Sequence, residues 1–475
     1  MGIWKKLLLV FVILVICAGS YAYKFFLDIA PIASGMSSQT LCTNVLMLER
    51  DQQDVIDHDL SAIQRKLTRS YIDHEKKMVT THLQIGPFSH KNRSAYRKGL
   101  GCSVLHSAND QQFFNKIYNG EGSQEITGKT VDWPTVTRDK QGINYSLLNK
   151  AIDQAYQETA LGYDQQKNTR AVLVWQGEDL IAERYTKGFT GETPLRSMSM
   201  AKSASSALVG VLALQQDIDI HAPKIFKEWS QDTDPRAALT LHHLLSMTSG
   251  HAYKEQMESD PRNVLNKMLF GVQDMTGFAV QQDIDKEPGS YWDYQTVNSV
   301  LLQKYVREQV GDDQAYYKMA HQDLFEKAGM TNTFFQADAD GTFAGGALMY
   351  ASPRDWMRFG LLYLNDGVYK GIRVLPKGWV EYTKTPTKAS LQRRAYGAQF
   401  WLNAKSEQHW MDGVPEDAYG AQGHYGQYVI IIPSLDMVIV RLGVTFPPER
   451  FDLHSLVKDV TEAVSGTANR DYKHD

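Results

Sequence analysis

The sharpest break in polarity falls at the start of the chain. Lys5 and Lys6 precede Leu7 to Tyr23, an uncharged run that Lys24 closes. Seventeen residues is the lower limit for a helix crossing a bilayer and slightly more than a signal-peptide core needs. The segment is therefore expected to meet a membrane. It reads either as an uncleaved anchor, which the length favours, or as a cleavable signal with small residues at Ser20 and Ala22. In both cases the basic flank stays inside and the rest is exported. That places the remainder on the periplasmic side of the inner membrane in a Gram-negative cell, or makes it periplasmic or secreted if the signal is cut.

Further along, the pattern alternates between helix-like and strand-like text. Charged helical text runs from Asp51 to Tyr71, a strand-like MVTTHLQIG starts at Met78, and a polar, Gly-bearing stretch from Asn119 to Gly142 holds the main boundary. The expected segments are a membrane segment at 1–23, an accessory segment at 24–135 and a main domain at 136–475. Within the last, a helix is expected from Ser146 to Thr159. AVLVW and LIAERY then flank the turn Gln176 to Asp179 as a hairpin. Met200 to Gln215 is apolar and rich in small residues, which suits a buried central helix. YVIII and MVIVRL flank Pro433 to Asp436 as a second hairpin, and Phe451 to Val464 is an amphipathic helix. Strands at both ends of this domain predict an α/β (α+β) fold: a central antiparallel sheet completed by both ends, flanked by helices, with a helical subdomain.

Composition narrows the function classes. The chain has 475 residues, 43% hydrophobic and 22% charged, with a net charge of -4, so it is globular and has no basic excess to bind nucleic acid. Of three cysteines, Cys17 lies in the apolar run, leaving Cys42 and Cys102 in the exported part. An oxidising compartment permits a disulfide between them; two buried free thiols are the alternative.

A serine hydroxyl needs a base within hydrogen-bond reach to act as a nucleophile. Ser199 and Lys202 stand three apart, so on a helix they share a face in the S-x-x-K arrangement. Burial favours the neutral amine, and a serine at a helix N-terminus lies among free N–H groups. The pattern alone is weak, because Ser455 and Lys458 match it too. The second match lies on the amphipathic C-terminal helix, where an exposed lysine is ordinary, and Ser199 is the better candidate; a helix-capping serine is the plain alternative.

Five stretches raise the case: RSMSMAKSASSALVGVL from Arg196, LHHLLSMTSG from Leu241, WDYQTVNSVLL from Trp292, GGALMYASPRDWMRFGLLYLNDG from Gly345 and GHYGQYVIIIPSLDMVIV from Gly423. With these in order, the chain from Tyr145 to Val464 resembles the serine β-lactamase-related family, nearest the class C, D-aminopeptidase, esterase and 6-aminohexanoate-dimer hydrolase branch. Text around Cys42 and the YRKGLGC stretch is similar to accessory segments of the last. The resemblance implies a β-lactamase/transpeptidase-like fold and a Y-x-N/S motif at Tyr294-Gln295-Thr296, with Tyr294 sharing acid and base work with Lys202. Tyr363-Leu364-Asn365 also matches Y-x-N but closes an amphipathic helix and reads as packing. The family's K-T-G is missing; His424-Tyr425-Gly426 stands in its place, with Gly426 letting substrate lie against the backbone. The resemblance further implies an oxyanion hole from the backbone N–H groups of Ser199 and Gln427.

His242, His243 and His251 lack metal-ligand spacing, so no metal is expected, and no cofactor is needed. No G-x-S-x-G elbow occurs. Asn92 and Asn144 fit N-x-S, a pattern too common to weigh. The leading expectation is an exported hydrolase of a small amide, ester or short peptide acting through an acyl-enzyme on Ser199. A cell-wall D-peptidase or β-lactamase, and a catalytically silent binding scaffold, are its rivals. Substrate identity and oligomeric state have no readable code.

Overall fold

The apolar run continues as one long helix, α1 (Ile3–Leu41), which passes Lys24 and Pro31 before a wider turn at Cys42–Met47. A computed structural model describes residues 2–106, 113–118, 132–158, 166–253, 255, 260–447 and 450–465. Residues 119–131 of the polar boundary stretch, Thr159 and residues 254 and 256–259 after His251 lie outside the described residues. The chain groups into two compact units. One comprises Met1–Tyr96, Cys102–Gln111 and Gln256–Gln273; the other comprises Arg97–Gly101, Gln112–Glu255 and Asp274–Asp475.

In the first unit, α1 changes character along its length. Residues 7–16 are exposed apolar side chains and the segment is long and apolar enough to cross a bilayer. From Phe26 onward one face turns inward, with Ala30, Ile32, Ser34, Gly35 and Leu41 buried. Two short helices follow, α2 (Gln52–Asp59), capped by Asp51, and α3 (Ala62–Leu67), with a Ser61/Gln64 capping box. The helical text thus ends at Leu67, short of the expected Tyr71. From Thr68 the chain pairs edge to edge instead, as β1 (Thr68–Asp73) against β2 (Met78–Ile85). With β3 (Phe88–Arg97) and β4 (Gly101–Leu105) these make a four-stranded sheet. Cys42 and Cys102 are joined by a disulfide with an S–S distance of 2.01 Å, inside a small core with Leu41, Val45, Val55 and Val79.

The second unit runs α4 (Tyr145–Tyr156), β5 (Thr169–Gln176), β6 (Asp179–Tyr185), β7 (Leu195–Arg196), α5 (Ala201–Gln215) and α6 (Thr296–Val310). Then come β8 (Thr333–Phe335), β9 (Met349–Ala351), α7 (Pro353–Leu364), β10 (Trp401–Leu402), β11 (Tyr419–Gly423), β12 (Gln427–Ile432), β13 (Met437–Gly443) and α8 (Leu453–Ser465). Its main sheet has the order β10-β11-β12-β13-β5-β6, all neighbours antiparallel. The first and last strand pairs of the domain meet at β13 and β5, so both ends do complete one sheet. Val172, Val174, Ile430, Ile432 and Ile439 face α4 and α8, including Ile152, Val457 and Val460. α7 packs on β12, β13 and β5 from the other side, and burial on both faces accounts for the unbroken apolar runs in these strands. A second, three-stranded sheet, β7-β9-β8, leads into α5.

Candidate active site

The entry to α5 is a tight turn. β7 pairs with β9, Ser197 N–H donates to Met349 O at 2.9 Å, and Trp356 Nε1 donates to the Ser197 hydroxyl at 3.1 Å. Held from both sides, the chain turns through Met198, whose φ of 49° is a left-handed conformation that side chains resist. Ser199 follows in the short 3-10 turn Met198–Met200 that feeds α5, half-buried.

One helical turn on, Lys202 is 1% exposed. Its Nζ donates to Ser199 Oγ at 3.1 Å, Thr296 Oγ1 at 2.8 Å and Gly346 O at 2.8 Å, so an ammonium has all its protons placed. Burial pulls it down to about 8, while the Glu255 carboxylate pulls it back up. The Tyr294 ring lies 4.9 Å from Nζ. Burial and Glu255 push the Tyr294 phenol well above its ordinary range. Trp401 stacks on it at 5.0 Å and Tyr396 meets it edge-on at 5.9 Å, fixing the ring.

The structure therefore brings Ser199, Lys202 and Tyr294 together. It also adds groups the sequence reading had given no role. Gly346 presents its carbonyl to Lys202, and Thr296 accepts from the same amine. Glu255 accepts from Thr296 Oγ1 at 2.7 Å and from Thr296 N–H. The Gly345-Gly346 pair was a visible signal for close approach; Glu255 sits in irregular text with none.

The hairpin β11–β12 runs past the Met198–Met200 turn. Its tip carries His424, half-buried with its ring 4.1 Å from that of Tyr425. Tyr425 and Gly426 have φ of 64° and 81°. A Cβ at Gly426 would stand 2.3 Å from Arg441 Nη1, so glycine is required there. Gln427 begins β12 opposite Gly423. Its side chain works as a staple: Nε2 donates to His424 O at 3.3 Å and Tyr425 O at 3.1 Å, and Oε1 accepts from Gly443 N–H at 3.2 Å.

The other motif matches lie elsewhere. Ser455 and Lys458 are exposed on α8, with Ser455 Oγ donating to Asp452 at 2.6 Å. Tyr363 is in the core against Phe359 and Phe400. His242 pairs with the Tyr382 hydroxyl at 2.9 Å and His251 with Ser249 Oγ at 2.7 Å.

An antiparallel sheet with a serine and a buried lysine at the head of its central helix defines a serine hydrolase class of the β-lactamase/transpeptidase fold. The chain belongs to the Beta-lactamase family, which matches residues 149–461. It is similar to a 6-aminohexanoate-dimer hydrolase of Paenarthrobacter ureafaciens, 24% identical over a 328-residue alignment that covers 62% of this chain and 78% of that protein. Among solved structures, a family VIII carboxylesterase aligns over 70% of this chain and all of its own, at 14% identity and a TM-score of 0.53. A penicillin-binding protein homolog from Caulobacter crescentus aligns over 71% and 100%, at 13% and 0.52. At these identities the structures share the fold.

Proposed function

We propose that the protein is a membrane-anchored, exported serine hydrolase that cleaves a small amide, ester or short peptide through an acyl-enzyme on Ser199. The observation that carries this reading is the Lys202 amine, buried, held near pH 8 and 3.1 Å from Ser199 Oγ. A base whose pKa lies near the working pH can both take and return a proton. As Ser199 Oγ bonds to the substrate carbonyl carbon, its proton passes to the Lys202 lone pair and the carbonyl electrons move onto oxygen. Backbone N–H groups of Ser199 and Gln427 receive that charge. When the tetrahedral species collapses, the leaving nitrogen or oxygen departs with a proton from the Lys202 ammonium, relayed by the Tyr294 hydroxyl. Water then repeats the sequence on the acyl-enzyme and frees Ser199.

His424 in place of a lysine gives the tip of β11–β12 no permanent positive charge, which favours substrates without the carboxylate of a penicillin. The name of the Paenarthrobacter relative, a 6-aminohexanoate-dimer hydrolase, supports an amide among the bonds cleaved. Retention of the N-terminal helix is supported by the length of its apolar run, whose exposed side chains at 7–16 would face lipid.

The test is intact-mass labelling with a fluorophosphonate probe. Native protein and Ser455→Ala should gain one adduct and Ser199→Ala none. A folded native protein that stays unlabelled would sink the reading and favour a binding scaffold.

A further inference from the structure

Glu255 commits both carboxylate oxygens to one residue. One accepts from the Thr296 N–H at the start of α6, and the other accepts from Thr296 Oγ1–H at 2.7 Å. Helix capping explains the first bond, since Gln295 at the N-cap offers no side-chain acceptor. It does not explain the second, to a hydroxyl that also accepts from Lys202.

We propose that Glu255 is a positioning residue that orients the lone pair of Lys202 toward Ser199 by holding the proton of the Thr296 hydroxyl. The inference rests on the hydrolase reading above. Thr296 Oγ1 has a single proton, and Glu255 takes it. Toward Lys202, at 2.8 Å, Thr296 can then only accept, as can the carbonyl of Gly346 at 2.8 Å. A neutral lysine has two N–H groups and one lone pair. Both N–H groups are claimed by these two acceptors, so the lone pair faces the third neighbour, Ser199 Oγ, at 3.1 Å. Without the carboxylate, the Thr296 hydroxyl is free to rotate and donate to the amine, which would occupy the lone pair and idle the base. No step consumes Glu255; the proton that moves is that of Ser199.

The charge of Glu255 has a separate effect, raising the proton affinity of the base. Burial alone would drive the Lys202 ammonium lower still, and the carboxylate limits the fall. Among the described residues, the other ionisable groups around the pair are Tyr294, Tyr253 and Tyr396, whose phenols burial pushes up, and Asp293; burial raises the Glu255 carboxyl, Lys202 and the two Thr296 bonds pull it back down, and Asp293 adds a smaller push upward.

The experiment titrates Lys202 itself. Full-length protein in detergent micelles, labelled at lysine Cε, is followed by carbon NMR from pH 6 to 11, with Lys202 assigned through Lys202→Arg. In Glu255→Gln the Lys202 midpoint should fall by about one pH unit or more, a tenfold or larger change in proton affinity. The acid limb of fluorophosphonate labelling should move with it, and the maximal labelling rate should drop roughly tenfold or more. Glu255→Asp, which keeps the charge, should return the midpoint toward the native value. A folded Glu255→Gln with unchanged midpoint and labelling would reduce Glu255 to a helix cap and overturn the proposal. If Glu255→Gln does not fold, Thr296→Val removes the hydroxyl and keeps the carboxylate; undiminished labelling in that variant overturns the proposal equally. A native protein that resists labelling while Glu255→Gln still shifts the Lys202 midpoint would defeat the hydrolase reading and leave the hold of Glu255 on Lys202 standing.

Discussion

Lys202 Nζ and the carbonyl oxygen of Gly346 stand 2.8 Å apart, though 144 residues separate them in the chain. The contact depends on the absence of a side chain, because a Cβ at residue 346 would lie 2.3 Å from Thr296 Cγ2. Gly346→Ala must therefore push the strand lead-in or Thr296 aside and pull an acceptor off Lys202. A displacement of about 1 Å in such a site costs on the order of a hundredfold in rate. Fluorophosphonate labelling of Gly346→Ala should slow by about that factor, and a labelling rate within twofold of native would contradict the placement.

The pH dependence of stability should report the same lysine. Its folded value is about 8, below the ordinary 10.5. Between those values the unfolded chain holds a proton that the folded protein has released, so stability rises with pH across that window. Below about 8 both states are protonated and the cost of the buried ammonium is present in full. Relative to Lys202→Met, which cannot titrate, native protein should gain on the order of 3 kcal/mol between pH 7 and pH 10.5. Urea denaturation at the two pH values measures it; a constant difference between the two proteins would place Lys202 in water.

How much of this was legible follows from what each residue does locally. The hairpins at Gln176–Asp179 and Pro433–Asp436 were readable because short, mostly apolar strand-like runs flank turn residues. The central helix was readable from its small, apolar composition. Ser199 and Lys202 share their helical spacing with Ser455 and Lys458, and what singled them out was their place at the head of the small-residue helix together with the family resemblance. The end of the α3 text was misjudged: Thr68 to Asp73 is charged like the helix before it, and its strand state comes from pairing with β2, which no local pattern carries. Glu255 was invisible for a related reason. Its partners, Thr296 and Lys202, are 41 and 53 positions away, it belongs to no periodic element, and only the fold places a carboxylate there.

Arg441 governs the hairpin tip that bears His424. Fully buried on β13, it donates to Gly426 O at 2.6 Å, Tyr425 O at 3.3 Å and Lys167 O at 2.7 Å, and lies 4.0 Å from the Phe451 ring. Lysine keeps the charge but lacks the planar guanidinium fork that reaches these divergent acceptors. Arg441→Lys should lose about 3–5 kcal/mol of stability and, in the fraction that stays folded, raise KM for any ester substrate more than it lowers kcat. Equal loss in both constants would mean that the tip positions the reacting groups and does not hold substrate.

The Cys42–Cys102 bond closes a loop with a sequence separation of 60 residues around the core of the first unit. By loop-closure entropy a bridge of that span stabilises the folded state by roughly 4 kcal/mol. That is a large share of what a small sheet with a modest apolar core can hold. Replacing both cysteines by alanine should therefore lower the melting of the first unit far more than that of the second, because the second contains neither sulfur. Limited proteolysis along a temperature ramp, read by mass spectrometry, separates the two. Early cuts should fall within Thr68–Leu105 in the double variant and in reduced native protein, while peptides from β5 and β12 stay protected. Simultaneous cutting of both units would show that they melt as one and would remove the bridge from any local role.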